Sequence, residues 1–153
     1  MFVLCPRVRE AWQWLEGVWN RVQPGGGPNC SDIRVLLLDD SSVWQPPAEL
    51  QQLWTHLRLL MLESVWVVRC AASSRQYTSA QVVCRFLAAL QQQLKQDWGR
   101  TRGDIRVDSG VPQSWLRGRS PIMSESRFVA KWRGGGVLYN VTAEGSVRVC
   151  LSH

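Results

Sequence analysis

Two tryptophans are interleaved with five arginines along the segment that begins at residue 98, and this combination is typical of surfaces that bind single-stranded nucleic acid. A guanidinium group donates parallel hydrogen bonds to a phosphate, and an indole ring offers a flat face on which a base stacks. The sequence therefore predicts a nucleic-acid-binding surface. The alternative is a solvated basic face whose tryptophans pack the tail onto the helices. The predicted binding residues are Trp98, Arg100, Arg102, Arg106, Trp115, Arg117 and Arg119.

The net charge of the chain, +6 over 153 residues, is concentrated in its C-terminal half. Residues 1–74 contain six basic and seven acidic side chains, a balance of −1. Residues 75–153 contain twelve basic and five acidic ones, a balance of +7. Sixteen of the eighteen basic residues are arginine, the cation that best matches phosphate geometry. This asymmetry favours RNA or single-stranded DNA as a partner.

The cysteines of the chain do not form a pattern typical of disulfides or of a complete metal site. Five cysteines occur, at positions 5, 30, 70, 84 and 150, and none of them forms a Cys-x-x-Cys pair. This pattern predicts no disulfide framework. A structural zinc ion needs four Cys or His ligands closed as a tetrahedron. Cys5 alone cannot close such a site, so we expect no cofactor from these residues alone.

The run Phe2-Val3-Leu4-Cys5-Pro6-Arg7-Val8, followed by Trp12, resembles the end of the zinc-binding domain in reverse transcriptases of non-LTR retrotransposons. In that family a Cys-x-x-Cys pair and a His precede the last Cys, and four residues separate the His from it. The resemblance implies that Cys5 is the remnant ligand of an incomplete zinc site, and it places the expected His immediately before Met1. It implies bound zinc only where such upstream ligands are present.

A more diffuse similarity, to the tail that follows this domain in some retroelement proteins, covers nearly the whole chain. It lies in residues 33–40, 62–70 and 104–112, in Asp97-Trp98 and in the closing hairpin. The resemblance implies a non-catalytic C-terminal piece of a reverse transcriptase, whose tail helps to hold template RNA or target DNA near the polymerase. A helical protein–protein interaction domain and an inert retroelement remnant are the alternatives.

Few side chains could carry out catalysis. Asp39-Asp40 is the only adjacent acidic pair, and it follows two leucines rather than the tyrosine turn of a polymerase that holds two metal ions. The two histidines are His56, inside a helical pattern, and the terminal His153. The glycine runs at 25–27 and 134–136 lack the lysine of a phosphate-binding loop. We therefore expect no enzymatic activity.

Helical periodicity organises the first half of the chain. Pro6 is well placed to open a first helix, and a segment rich in proline and glycine, 23–28, ends it. The apolar run 33–38 fits a strand or a buried helical turn equally well. From Pro46 to about Cys70 the pattern predicts a second helix that lies centrally and is contacted on more than one side. The apolar stripe of the first helix comprises Val8, Trp12, Leu15, Trp19 and Val22.

Local signals also predict the elements of the second half. Thr78 and Gln81 have the spacing of a capping box, which marks the start of a third helix. Ser124 is placed to cap a short helix that carries Phe128 and Trp132. Two alternating runs separated by residues 143–146 predict a β-hairpin, with glycine supplying the turn. The predicted stripe of the third helix is Ala80, Val83, Leu87, Leu90 and Leu94, with Phe86 beside it.

The expected fold is mainly α, with three or four helices around a Trp/Leu-rich core and a C-terminal β-hairpin. Four of the nine tryptophans, Trp12, Trp19, Trp54 and Trp66, fall on or near the helical core stripes and are expected to pack there. The predicted organisation is a remnant of the zinc-binding domain (1–23), a linker with a short apolar segment (24–45), a helical core (46–98) and a basic tail (99–153).

The longest apolar runs are far shorter than the ~20 residues of a membrane-spanning helix. The first residues lack the features of a secretory signal. We therefore expect a nuclear or cytoplasmic protein that is neither secreted nor bound to a membrane, and the oligomeric state is left open.

Overall fold

A computed structural model describes residues 5–30, 32, 34–38, 42–72, 77–101 and 123–151. A π-helical turn, Arg34–Leu38, and a 3-10 turn, Ala48–Leu50, lie between the first two α-helices. The predicted mainly helical fold with a C-terminal hairpin is confirmed. The regular elements in the described ranges are α1 (Pro6–Val22), α2 (Gln51–Ala71), α3 (Ser79–Thr101), α4 (Glu125–Lys131), β1 (Tyr139–Val141) and β2 (Val147–Val149).

The helices begin where their capping signals are placed. Pro6 is the first residue of α1, where its missing N–H costs no hydrogen bond. The backbone N–H of Thr78 donates to Gln81 Oε1 at 2.9 Å, and the Gln81 N–H donates back to Thr78 Oγ1 at 3.2 Å. Ser124 Oγ accepts from the Arg127 N–H in the same way. The capping box of α3 and the serine cap of α4 are therefore confirmed.

One hydrophobic cluster connects every described helix with the hairpin. Its aromatic centre is a triad in which Trp19 and Trp54 are buried and Trp44 covers them, with ring centroids 5.1–5.9 Å apart and edge-to-face geometry. Such pairs contribute more than their buried area alone. The predicted burial of Trp12, Trp19 and Trp54 is confirmed.

The helix that most other elements contact is α3. It packs against α1, α2, α4 and β2, whereas α2 packs mainly against α3. Because α3 is contacted on several sides, its buried face is wider than the predicted stripe. Val82, Phe86 and Ala89 are buried as well. Of the predicted stripe, Ala80 and Leu87 are only partly buried.

The apolar run 33–38, whose sequence fits a strand and a helical turn equally well, contains a helical turn. Val35 and Leu36 are buried within the π-helical turn, and the Leu36 carbonyl accepts a hydrogen bond from Arg58 Nη1 at 2.9 Å. Arg58 is itself almost completely buried. The turn is therefore fixed to α2 by a long side chain rather than paired in a sheet.

The prediction that Trp66 packs in the core is wrong, because its side chain is 61% exposed. It follows the buried Leu57 by nine residues, about two and a half turns at 3.6 residues per turn, and so lies on the opposite face of α2. Leu59, 53% exposed, lies on the same outer side two turns earlier. Apolar residues surround this helix, and its sequence pattern does not distinguish the packed face from the outer one.

The hairpin has the predicted strands and turn. Tyr139 pairs with Val149 and Val141 with Val147 in antiparallel register, and Gly145 supplies the positive φ of +75° that the turn requires. On α3, Gln91 Nε2 donates to the Val147 carbonyl at 2.9 Å, and its Oε1 accepts from the Val149 N–H at 2.7 Å. One glutamine therefore covers the outer backbone edge of β2.

Within the described ranges, no helix is both long and apolar enough to span a membrane.

Candidate functional site

The structure describes two of the seven predicted nucleic-acid-binding residues, and both lie at the C-terminal end of α3. They are Trp98 and Arg100. The other five predicted residues, Arg102, Arg106, Trp115, Arg117 and Arg119, lie outside the described residues. The geometry of the predicted surface can therefore be followed at its start, where α3 meets α4 and the hairpin.

Trp98 has the contacts of a packing residue. Its indole Nε1–H donates to the Gly145 carbonyl at 2.9 Å, and its ring lies edge-to-face with Phe128 at 5.1 Å. Its side chain is partly buried against α4 and the hairpin turn. These contacts are those of the alternative interpretation, in which the tryptophans fix the tail onto the helices.

Arg100 lies on the solvent side of the same helix end. Its side chain is 51% exposed, and Nη1 lies 3.2 Å from Asp97 Oδ1. The pair joins a half-exposed guanidinium to a carboxylate that is almost completely buried. The guanidinium therefore remains accessible while one of its nitrogens is held in place.

Asp97 is the residue that sequence reasoning missed. Its side chain is 5% exposed, and Oδ2 accepts from Lys131 Nζ at 2.6 Å and from Trp132 Nε1 at 3.0 Å. A buried carboxylate needs such partners, because an isolated buried charge is very costly. One signal was present: Asp97 follows Leu90 and Leu94 at helical spacing and so places a charge on the buried face of α3.

Three further arginines of the C-terminal half are exposed on the elements that pack against α3. Arg127 lies on α4, Arg133 just after it, and Arg148 on β2. Within the described part of the chain none of them forms an ion pair. Arg133 also lines an open groove of about 720 Å³ beside α4. These elements therefore present three exposed guanidinium groups without a described ion-pair partner.

Cys5 lies directly before α1, with its thiol close to the Tyr77 hydroxyl, which donates to Sγ at 3.7 Å. Burial raises the pKa of Cys5, but the Tyr77 hydrogen bond, the backbone N–H groups of Arg7 and Val8 and the Arg7 charge together lower it below the ordinary value. By contrast, the pKa of Cys30 is raised far above its ordinary value, mainly by burial and to a smaller extent by the negative charge of Glu16.

We predict that Cys5 reacts with iodoacetamide much faster than Cys30, because only thiolate is nucleophilic. Replacing Tyr77 with phenylalanine removes a hydrogen bond that stabilises the thiolate, so the pKa of Cys5 should rise. The midpoint of the pH–rate profile should then move to higher pH, and alkylation at pH 7 should become slower.

The measurement is peptide mass spectrometry in a variant whose exposed cysteines, Cys70, Cys84 and Cys150, are replaced by serine. Tyr139→Phe is the control, since Tyr139 contacts Phe128 rather than a cysteine. An unchanged midpoint in Tyr77→Phe would show that the hydroxyl does not tune Cys5.

The predicted zinc ligand has no companions in the described part of the chain. No group of three or more His, Cys, Asp or Glu side chains there is arranged to hold a metal ion. The described residues therefore do not fit a closed four-ligand zinc site. Zinc binding that depends on ligands before Met1 stays a prediction.

The residues considered for catalysis make structural contacts or lie outside the described ranges. His56 Nδ1–H donates to the Gln52 carbonyl at 2.8 Å, one turn earlier on α2, and the imidazole lies edge-to-face with Trp132 at 5.8 Å. These are the contacts of a helix-face histidine. Asp39, Asp40 and His153 lie outside the described residues.

Comparisons of the chain with protein-family models, curated proteins and solved structures gave no match. The resemblance to the reverse-transcriptase tail consequently stays a prediction drawn from the quoted motifs.

Proposed function

We propose that this chain is a non-catalytic nucleic-acid-binding piece that resembles the C-terminal zinc-binding and tail region of a retrotransposon reverse transcriptase. Its ligand is single-stranded RNA or DNA, held mainly through phosphate contacts with arginine. The observation that carries the proposal is the balance of +7 in residues 75–153, nearly all of it arginine.

The exposed arginines of the described surface support this proposal. Arg100, at the end of α3, is half exposed, and the arginines at 127, 133 and 148 are exposed on α4, just after it and on β2. Phosphate binding by such groups releases condensed counterions and needs no deep pocket. The packing of Trp98 limits the base stacking available here, so electrostatic contacts carry most of the proposed affinity.

The test is a fluorescence-anisotropy titration of the full chain with a labelled single-stranded RNA and its DNA equivalent at several salt concentrations. Each phosphate contact with single-stranded nucleic acid contributes about −0.7 to the slope of log K against log salt, so five contacts give roughly −3.5. A steep slope of this kind is expected for both ligands. Absence of binding at low salt, or affinity that does not change with salt, contradicts the proposal.

A second candidate function is docking of a protein partner on the outer face of α2. The specific observation is the exposure of Trp66 and Leu59, two large apolar side chains two turns apart. Tryptophan is enriched among residues that dominate binding energy in interfaces. Apolar association of this kind strengthens or stays constant as salt rises, so the same titration series separates the two functions.

A further inference from the structure

Arg100 differs from Arg127, Arg133 and Arg148 because a buried carboxylate lies behind its guanidinium. Asp97 Oδ1 is 3.2 Å from Nη1, and the Asp97 side chain is almost completely buried while Arg100 is half exposed. Arg127, Arg133 and Arg148 have no such carboxylate contact in the described part of the chain. The guanidinium of Arg100 is therefore held from its inner side and open on its outer side.

The carboxylate is paired with two cations, which offset its repulsion of a phosphate. Its second oxygen, Oδ2, accepts from Lys131 and from the Trp132 indole. Together Asp97, Lys131 and Arg100 carry a net charge of +1, and the negative group is the most deeply buried of the three. An anion that approaches from solvent meets the guanidinium first.

We propose that Asp97 is a positioning residue that orients Arg100 for a backbone phosphate of single-stranded nucleic acid. This inference rests on the proposed function. An arginine has five N–H donors in a rigid planar fork, so one nitrogen can bind the carboxylate while another edge binds a phosphate. Fixing the side chain before binding reduces the rotamer entropy lost on association.

The geometry distinguishes arginine from lysine at position 100. A lysine keeps the positive charge, but its single ammonium group cannot present one planar edge to Asp97 and another to a phosphate. Arg133 forms no ion pair with a carboxylate in the described residues, so the same change at position 133 breaks no such contact. The effect of an arginine-to-lysine change should therefore be larger at position 100.

The test compares full-length Arg100→Lys with full-length Arg133→Lys by anisotropy titration with a labelled single-stranded RNA. We expect Arg100→Lys to weaken binding by about fivefold and Arg133→Lys by less than about twofold. Both substitutions keep the net charge and lie at exposed side chains, and circular dichroism confirms that each variant is folded. Equal effects at the two positions overturn the inference.

A second variant tests whether Asp97 acts through Arg100. Asp97→Asn should weaken binding in the wild-type background but have no further effect in the Arg100→Lys background, because the oriented guanidinium is already absent. Additive losses indicate a purely structural role for Asp97 and overturn the inference. If Asp97→Asn does not fold, the lysine comparison alone decides. Failure of the wild-type chain to bind RNA contradicts the proposed function instead.

Discussion

Replacing Trp54 with alanine is expected to lower the free energy of unfolding by about 3–5 kcal/mol, the usual loss for a large aromatic side chain in a packed core. Trp54 is buried and makes edge-to-face contacts with Trp19 and Trp44, with centroids 5.3 and 5.1 Å apart. Within the described part of the chain its indole N–H makes no hydrogen bond. The loss should therefore come from packing alone.

Trp66→Ala is the matched control, because Trp66 lies on the same helix and is mostly exposed. We expect it to change the free energy of unfolding by less than about 0.5 kcal/mol, as surface substitutions usually do. Urea unfolding followed by far-ultraviolet circular dichroism measures both variants without relying on tryptophan fluorescence. A large loss in Trp66→Ala, or a negligible one in Trp54→Ala, contradicts the packing described for α2.

Features with a local physical cause could be predicted from the sequence. Pro6, the Thr78–Gln81 pair and Ser124 act on the first helical turn beside them, so their spacing alone predicts where helices begin. Gly145 predicts the hairpin turn because few other residues tolerate positive φ. These elements were predicted correctly because each depends on residues only a few positions apart.

Features that depend on distant contacts could not be predicted in this way. The outward position of Trp66 depends on which side of α2 meets α3, and an apolar pattern around the whole helix does not specify that side. The bonds from Lys131 and Trp132 to Asp97 join residues 34 and 35 positions apart. Helical spacing places Asp97 on a buried face, but it does not specify the partners that stabilise the charge.

In the candidate site, too, local features could be predicted and features that depend on distant contacts could not. Composition and residue spacing predicted where the arginines are concentrated, since charge can be counted along the chain. The packing of Trp98 against Phe128 and its hydrogen bond to Gly145 depend on how the hairpin lies on α3. Spacing could not decide between stacking and packing for this tryptophan.

Replacing four arginines of the predicted patch with alanine should strongly weaken binding to single-stranded nucleic acid and flatten its salt dependence. Each lost phosphate contact removes about 0.7 from the magnitude of the slope of log K against log salt, so the slope should fall by up to ~3 units. Such a change also lowers affinity at low salt far more than any single substitution. The four positions are Arg100, Arg102, Arg117 and Arg119.

The control removes the same number of positive charges from the other half of the chain. Both variants lower the net charge by four, so a difference between them shows that the position of the arginines matters and not only the total charge. The exposed arginines for this control are Arg9, Arg21, Arg34 and Arg69.

The salt slope of these two variants, measured beside the wild-type chain on one labelled single-stranded RNA, tests the central claim most directly. We expect the patch variant to lose most of the slope and the control variant to keep nearly all of it. Equal losses in the two variants would mean that net charge alone governs binding. An unchanged slope in the patch variant would show that residues 100–119 form a solvated basic face rather than a nucleic-acid-binding surface.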